Sequence, residues 1–247
     1  HGNVINAPTA LQYSCNDYLC DIAYRLGTIN GMEYTDNAAL ESLQEYSKLF
    51  YLDKKSGVEI AESQPHVTDA YGIPSAIGQG THNYATVQLV RYVNTIASRG
   101  NVFQLSLVKG IADTNGNFVE NNAVLENKVE LPDSVWDTVS SGMVQFAQNN
   151  SVLRDMEISI AGKTGTAQES KSRPDHALFV GYAPAETPEI TIAVRIANGY
   201  SSGNACLAAN DIFKYMFAQN RTVNEVTVNI ERICIKSQII WRVRMQC

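Results

Sequence analysis

The sequence lacks any apolar run near the roughly 20 residues that a membrane-spanning helix needs. Its first ten residues also lack the basic start and apolar stretch of a secretory signal. Neither absence bears on a segment upstream. An excess of positive charge is missing too: 25 acidic residues against 19 basic ones leave a net charge of −6. Binding nucleic acid requires clustered Lys and Arg to neutralise phosphates, so no nucleic-acid partner is expected. The five cysteines (Cys15, Cys20, Cys206, Cys234, Cys247) form no CxxC pair and no Cys/His group with metal-ligand spacing. An odd count without a framework points to free thiols. Among the four histidines only His66 and His82 are loosely grouped. No metal and no other cofactor is expected.

What is present is enough for a core. The 247 residues are 45% hydrophobic and 18% charged, suited to one large domain or two small ones. The charge is uneven. Residues 221–247 carry five basic residues against Glu225 and Glu231, a net of +3, which leaves −9 for residues 1–220. Residues 219–247 are therefore expected to stand apart from a domain that spans 1–218.

Helical periodicity comes first along the chain. Leu19, Ile22, Ala23 and Leu26 share one face of a helix over 17–26, with Ser14 or Asn16 placed to cap its start and Gly27 to stop it. A second helix is expected over 37–50, with Leu40, Leu43, Tyr46 and Phe50 on one side, and a third over 86–98, closed by Gly100. A fourth begins at Pro132 and presents Val135, Val139, Met143 and Phe146. Strands concentrate later. Residues 157–160 lead as strand into Gly162-Lys163-Thr164-Gly165-Thr166, and 176–182 and 189–198 read as an antiparallel hairpin joined around Pro184 and Pro188. A last helix covers 205–217. Helices, then adjacent strands, then a helix give an α+β fold with an antiparallel sheet flanked by helices.

Two short segments carry chemistry. In Lys163-Thr164-Gly165-Thr166 a cation stands among hydroxyl donors, which suits an anionic substrate. The glycine marks close approach by a ligand or a second backbone, though an edge strand with a turn glycine would read the same way. Strand alternation puts Lys163 and Gly165 on one face, Thr164 and Thr166 on the other. Ser14-Cys15-Asn16 reads first as a helix cap, but a capped helix start is also a rigid place to hold a functional hydroxyl and amide.

Taken together, these segments resemble class B penicillin-binding proteins. Lys163-Thr164-Gly165-Thr166-Ala167-Gln168, followed by His176-Ala177-Leu178-Phe179-Val180-Gly181-Tyr182-Ala183-Pro184, is similar to that family's third motif and following strand. Ser14-Cys15-Asn16 matches its Ser-x-Asn motif. Ser56-Gly57-Val58-Glu59-Ile60, Ser75-Ala76-Ile77-Gly78-Gln79-Gly80 and Gln88-Leu89-Val90-Arg91-Tyr92 resemble its turns and next helix, in order, over about residues 1–218.

The resemblance implies the penicillin-binding transpeptidase, serine β-lactamase-like fold, incomplete at its N-terminus. It also implies a serine-type D,D-transpeptidase that cross-links peptidoglycan stem peptides ending in D-alanyl-D-alanine, is acylated by β-lactams, and works in cell-wall synthesis and division. Its place would be the extracytoplasmic face of the bacterial membrane, held by an N-terminal anchor, with divisome or elongation-complex proteins as partners. By the same resemblance, Ser14 relays a proton, Asn16 binds the substrate amide and Lys163 keeps the field positive. Thr164 and Thr166 bind the substrate carboxylate, Gly165 leaves room for the peptide, and the Thr166 N–H is half of an oxyanion hole. These roles pull against alternation, which turns Thr164 away from Lys163.

The match breaks at the nucleophile. The family's Ser-x-x-Lys lies upstream of Ser-x-Asn, and no serine precedes Ser14. The one Ser-x-x-Lys string, Ser106 to Lys109, follows it within an apolar stretch from Val102 that reads as strand. There positions i and i+3 face opposite sides, so the string is read as a decoy. A start at His1 favours truncation. The alternatives are a related serine β-lactamase or β-lactam sensor domain, and a non-catalytic binding module of the same fold. The turn at Gly78–Gly80 and the Gly181-Tyr182-Ala183-Pro184 segment favour the transpeptidase.

Overall fold

A computed structural model describes residues 6–28, 31, 33–169 and 171–218, and the backbone of 241–244. Its centre is an antiparallel sheet of four strands in the order β5 (Ala161–Ala167), β6 (His176–Ala183), β7 (Ile190–Ile196) and β8 (Trp241–Arg244). The expected hairpin is β6–β7, paired from Ala177↔Ile196 to Ala183↔Ile190. Among the described residues β5 pairs only with β6, which leaves it as an edge strand of the sheet. Four residues of the expected tail form β8 along β7; the rest of that tail lies outside the described residues.

Alternation sorts the sheet's two faces. Ala177, Phe179, Ile190, Ile192 and Val194 bury against Ala205, Cys206, Ala209 and Phe213 of α7 (Ser202–Phe217). The Phe179 and Phe213 rings meet edge to face, centroids 6.5 Å apart. On the other face Ala161, Val180 and Tyr182 pack with Val93 and Ile96 of α5 (Thr86–Ala97) and Met143 of α6 (Asp133–Asn149).

Four more helices precede or border the site. These are α1 (Ala7–Tyr13), α2 (Asn16–Leu26), α3 (Asp36–Leu49) and the short α4 (Gly72–Ala76). Between α5 and α6 the chain makes two small antiparallel pairs, β1 (Asn101–Phe103) with β4 (Leu125–Lys128), and β2 (Gly110–Ala112) with β3 (Phe118–Glu120). The α+β expectation, the helices at 17–26, 37–50, 86–98 and 205–217, and the hairpin all stand.

Several local expectations do not. Residues 157–160 are not strand: Ala185 N–H donates to the Ser159 carbonyl and hydroxyl, 3.0 Å each, so a neighbouring loop takes the bonds a strand would need. The apolar stretch from Val102 is strand only to Phe103. On α6 it is Trp136 that is buried and Val135 that faces out, because the helix turns Trp136 onto Val102 and Val129. Tyr46 is also exposed, pointing off the apolar side of α3.

One buried cation holds the helical layer together. Arg91 of α5 is 1% exposed and donates to the carbonyls of Tyr51, Lys54 and Lys55, each at 2.6 Å, where the chain leaves α3. A planar guanidinium serves the three carbonyls from two nitrogens held apart, one to Lys55 and the other to Tyr51 and Lys54, whereas an ammonium would have to gather all three around a single nitrogen.

Candidate active site

The site begins where two short helices meet. Asn6 caps α1, its side chain accepting from the Thr9 N–H at 2.9 Å, and Pro8 sits in the first turn. Ser14 then closes α1 in the left-handed region (φ 51°, ψ 51°), and its neighbour Cys15 donates back to the Ala10 carbonyl at 2.9 Å. Cys15, buried and extended, is the residue before α2, and Asn16 is the first residue of that helix. Neither Ser14 nor Asn16 caps α2 as the sequence suggested; Ser14 ends the helix before it. The reversal has a physical cause. A left-handed residue turns the chain sharply between α1 and α2 and leaves the hydroxyl outside both helices. Among the described residues five other non-glycine residues share positive φ, so strain alone does not single Ser14 out.

The contact does. Lys163, on β5, donates from Nζ to Ser14 Oγ at 2.5 Å and to the Thr164 carbonyl at 2.8 Å, joining residues 149 apart in sequence. Its ammonium also lies 5.2 Å from the centroid of the Phe146 ring of α6, within the range of cation–π attraction. Burial pushes Lys163 down from the usual lysine value to about 8, because a low-dielectric surround disfavours the charged form. A lysine so placed exchanges a proton near neutral pH, and Ser14 is its immediate partner.

Alternation along β5 is kept. Lys163 stands opposite Val180, which packs toward α5 and α6, while Thr164 stands opposite Phe179, which packs on α7. A side chain added at Gly162 would strike the Phe179 ring at 2.7 Å, which fixes the even positions on the α7 face. Thr166 is exposed near the end of the strand. A Cβ at Gly165 would meet only Leu178, at 3.5 Å, so this position has room above it. The sequence thus brings Ser14 and Lys163 together, places Asn16 two residues on at an exposed helix start, and puts Lys163 and Thr164 on different faces of one strand.

The strand's far end is tied down as well. His176, opposite Ala167, accepts from the Asn198 N–H on Nδ1 at 3.0 Å. Its Nε2 therefore carries the proton in the neutral ring and donates to Glu169 at 2.7 Å. That bridge joins the turn after β5 to the turn after β7. Sequence reading missed it, since nothing in the spacing of Glu169, His176 and Asn198 announces it.

Ser106 is occupied elsewhere. Its hydroxyl donates to the Glu59 carboxylate and accepts from the Val108 N–H at 3.0 Å and the Asn121 amide at 2.9 Å. The Ser106 hydroxyl, together with the Leu107 N–H that donates to the same carboxylate at 2.8 Å, holds Glu59 below the usual carboxylate range. Ser106 to Lys109 is not strand, and the Ser106 hydroxyl is engaged by this local network.

With this geometry in hand, the likeness to known proteins is specific. Residues 1–218 match the family described as the penicillin-binding protein transpeptidase domain. Penicillin-binding protein 2B of Streptococcus pneumoniae (serotype 4) is 32% identical over 77% of this chain and 32% of that protein. Peptidoglycan D,D-transpeptidase MrdA of Acinetobacter baumannii is 27% identical over 87% of this chain and 35% of that protein. The solved structure of penicillin-binding protein 2B from S. pneumoniae strain R6 superposes with a TM-score of 0.74 at 27% identity, covering 88% of this chain and 40% of that one. The chain spans about a third of the length of the curated relatives it matches. It belongs to the penicillin-binding protein transpeptidase domain family and is homologous to the class B penicillin-binding proteins.

Proposed function

We propose that this chain is the C-terminal part of a class B transpeptidase domain whose complete protein cross-links peptidoglycan stem peptides through an acyl-serine intermediate. The nucleophilic serine and its lysine lie outside these 247 residues. The observation that carries the reading is the Lys163–Ser14 hydrogen bond, a hydroxyl wired to a half-buried amine on the edge strand of the sheet.

In the proposed reaction the nucleophile attacks the penultimate D-alanyl carbonyl, an ester forms and the peptide C–N bond breaks. Ser14 hands its proton to the leaving amine and is reprotonated by the nucleophile's lysine. The acceptor amine then attacks the ester, the new amide forms, and the proton returns by the same path. Lys163 keeps Ser14 oriented and the field positive. Asn16 holds the substrate amide, and the Thr166 N–H stabilises the oxyanion. The substrate carboxylate is assigned to Thr166 and to Thr164, which would have to reach it round the strand edge from the α7 face. Gly165 leaves space for the peptide. β-Lactams would acylate the same serine. The complete protein would act on the extracytoplasmic face of the membrane, with division or elongation proteins beside it.

The test is intact-protein mass spectrometry after incubation with benzylpenicillin. The 247-residue chain is expected to form no adduct, and the protein extended upstream to its Ser-x-x-Lys a stoichiometric one. In the extended protein Ser14→Ala should slow acylation by about 10²-fold, the range for loss of a positioned proton donor. An adduct on the 247-residue chain that vanishes in Ser106→Ala would overturn the assignment. Rapid turnover to penicilloate by the extended protein would favour a β-lactamase instead.

A further inference from the structure

The Ser14–Lys163 contact joins the end of a seven-residue helix to a strand. So short a helix has little stability of its own, and something must fix how deep it sits. α1 packs along α6, and at their crossing stands Gly142, buried. A Cβ at Gly142 would lie 2.8 Å from both Cβ and Cδ1 of Leu11 and 3.0 Å from the Cα of Pro8. Real side chains do not approach that closely, so any residue but glycine would drive α1 outward. Phe146 follows Gly142 by four residues, on the same face of α6, and its ring is the one that lies over Lys163. One helical turn of α6 thus touches both partners of the contact: through Gly142 it seats the helix that ends in Ser14, and through Phe146 it backs the ammonium.

We propose that Gly142 and Phe146 are positioning residues, setting from α6 the depth of α1 and hence the distance at which Ser14 meets Lys163. The proposal rests on the transpeptidase reading for its catalytic meaning, but its geometry stands apart from that reading. Neither residue reaches substrate; they act through Ser14 and Lys163.

The experiment is lysine-selective ¹³C NMR titration of the full chain, with the Lys163 signal assigned by its loss in Lys163→Arg. In Gly142→Ala, α1 moves outward and water reaches the ammonium. The Lys163 midpoint should rise from about 8 by roughly one unit or more, towards an ordinary lysine. In Phe146→Leu the site stays dry but loses the ring face that favours the cation, so the midpoint should fall by about half a unit. Opposite signs from two residues on one turn are not what general loosening would give. Val102→Ala, a core truncation in the separate cluster around Trp136, is the control and should leave the midpoint where it is. A folded Gly142→Ala protein with an unmoved Lys163, or a Val102→Ala protein that moves it equally, overturns the proposal. Should Gly142→Ala not fold, Phe146→Leu decides alone: no shift, or an upward one, overturns it. Because the titration needs no acylation, failure of the transpeptidase reading would show instead as absence of a penicillin adduct on the extended protein.

Discussion

Replacing Lys163 by methionine tests whether the site holds a cation against its preference. Folding lowers the Lys163 midpoint from 10.5 to about 8, and burial is the cause. Between these values the unfolded chain holds a proton that the folded chain has released. Stability conferred at this position therefore rises with pH across that window and levels off above it. Below about 8 both states are protonated, and the full cost of burying the ammonium is present. A shift of that size corresponds to roughly 3 kcal/mol at about 1.36 kcal/mol per unit, and the side chain's partial exposure brings the expected figure to about 2–3 kcal/mol.

Methionine has similar length and no charge, so Lys163→Met removes the cost along with the bonds to Ser14 and Thr164. Urea denaturation of both proteins at intervals from pH 7 to 10.5 gives two stability curves, and their difference cancels every other titrating group. That difference should be constant up to about pH 7.5. It should then move by about 2–3 kcal/mol in favour of the lysine protein as pH rises to 10.5. A flat difference curve across the whole range would refute the argument that burial depresses Lys163, and with it the claim that this lysine is poised for proton exchange.

Two further substitutions probe the frame around the site. Arg91→Ala strands the carbonyls of Tyr51, Lys54 and Lys55 and should cost about 3–5 kcal/mol in denaturant titration, the range for breaking a buried charged network. Arg91→Lys should recover less than half of that, since a single ammonium nitrogen lacks the reach of the two guanidinium nitrogens that now serve Lys55 on one side and Tyr51 and Lys54 on the other; full recovery would show that charge alone matters. Gly80→Ala places a Cβ 2.1 Å from Ser75 Oγ and 2.7 Å from Thr68 Oγ1, inside the buried pair that these hydroxyls make at 2.6 Å. It should cost about 1–3 kcal/mol by overpacking, read as a lower midpoint in the same titration; an unchanged midpoint would mean that the turn yields freely.

The sheet and the long helices were legible because their burial patterns are their own. Strands β6 and β7 carry apolar residues on both faces between glycine and proline breaks, and α5 buries nearly a whole side. The small pairs β1–β4 and β2–β3 were not legible: strands of three or four residues are too short for period-two patterning to show. The turn at Asp113, whose carboxylate accepts from the N–H groups of Asn115 and Asn117, was a usable hairpin signal. Asn6 followed by Pro8 was likewise a usable sign of α1.

The site was half legible for a related reason. Residue type and order named Ser14, Asn16 and Lys163, and alternation separated Lys163 from Thr164, because each of these facts lives within a few residues. What no local pattern holds is the depth of one helix against another. Ser14 looked like the start of α2 because serine caps helix starts; its left-handed backbone and the bonds its N–H makes back to α1 show it as the end of α1. Gly142 reads in sequence as a weak point in a helix, costing about 1 kcal/mol against alanine. Its value appears only when Leu11 and Pro8 are laid across it and Lys163 is found beside Phe146, one turn further along. A residue whose function is to be absent from a gap leaves no mark of its own chemistry; it is found from the neighbours that the gap admits.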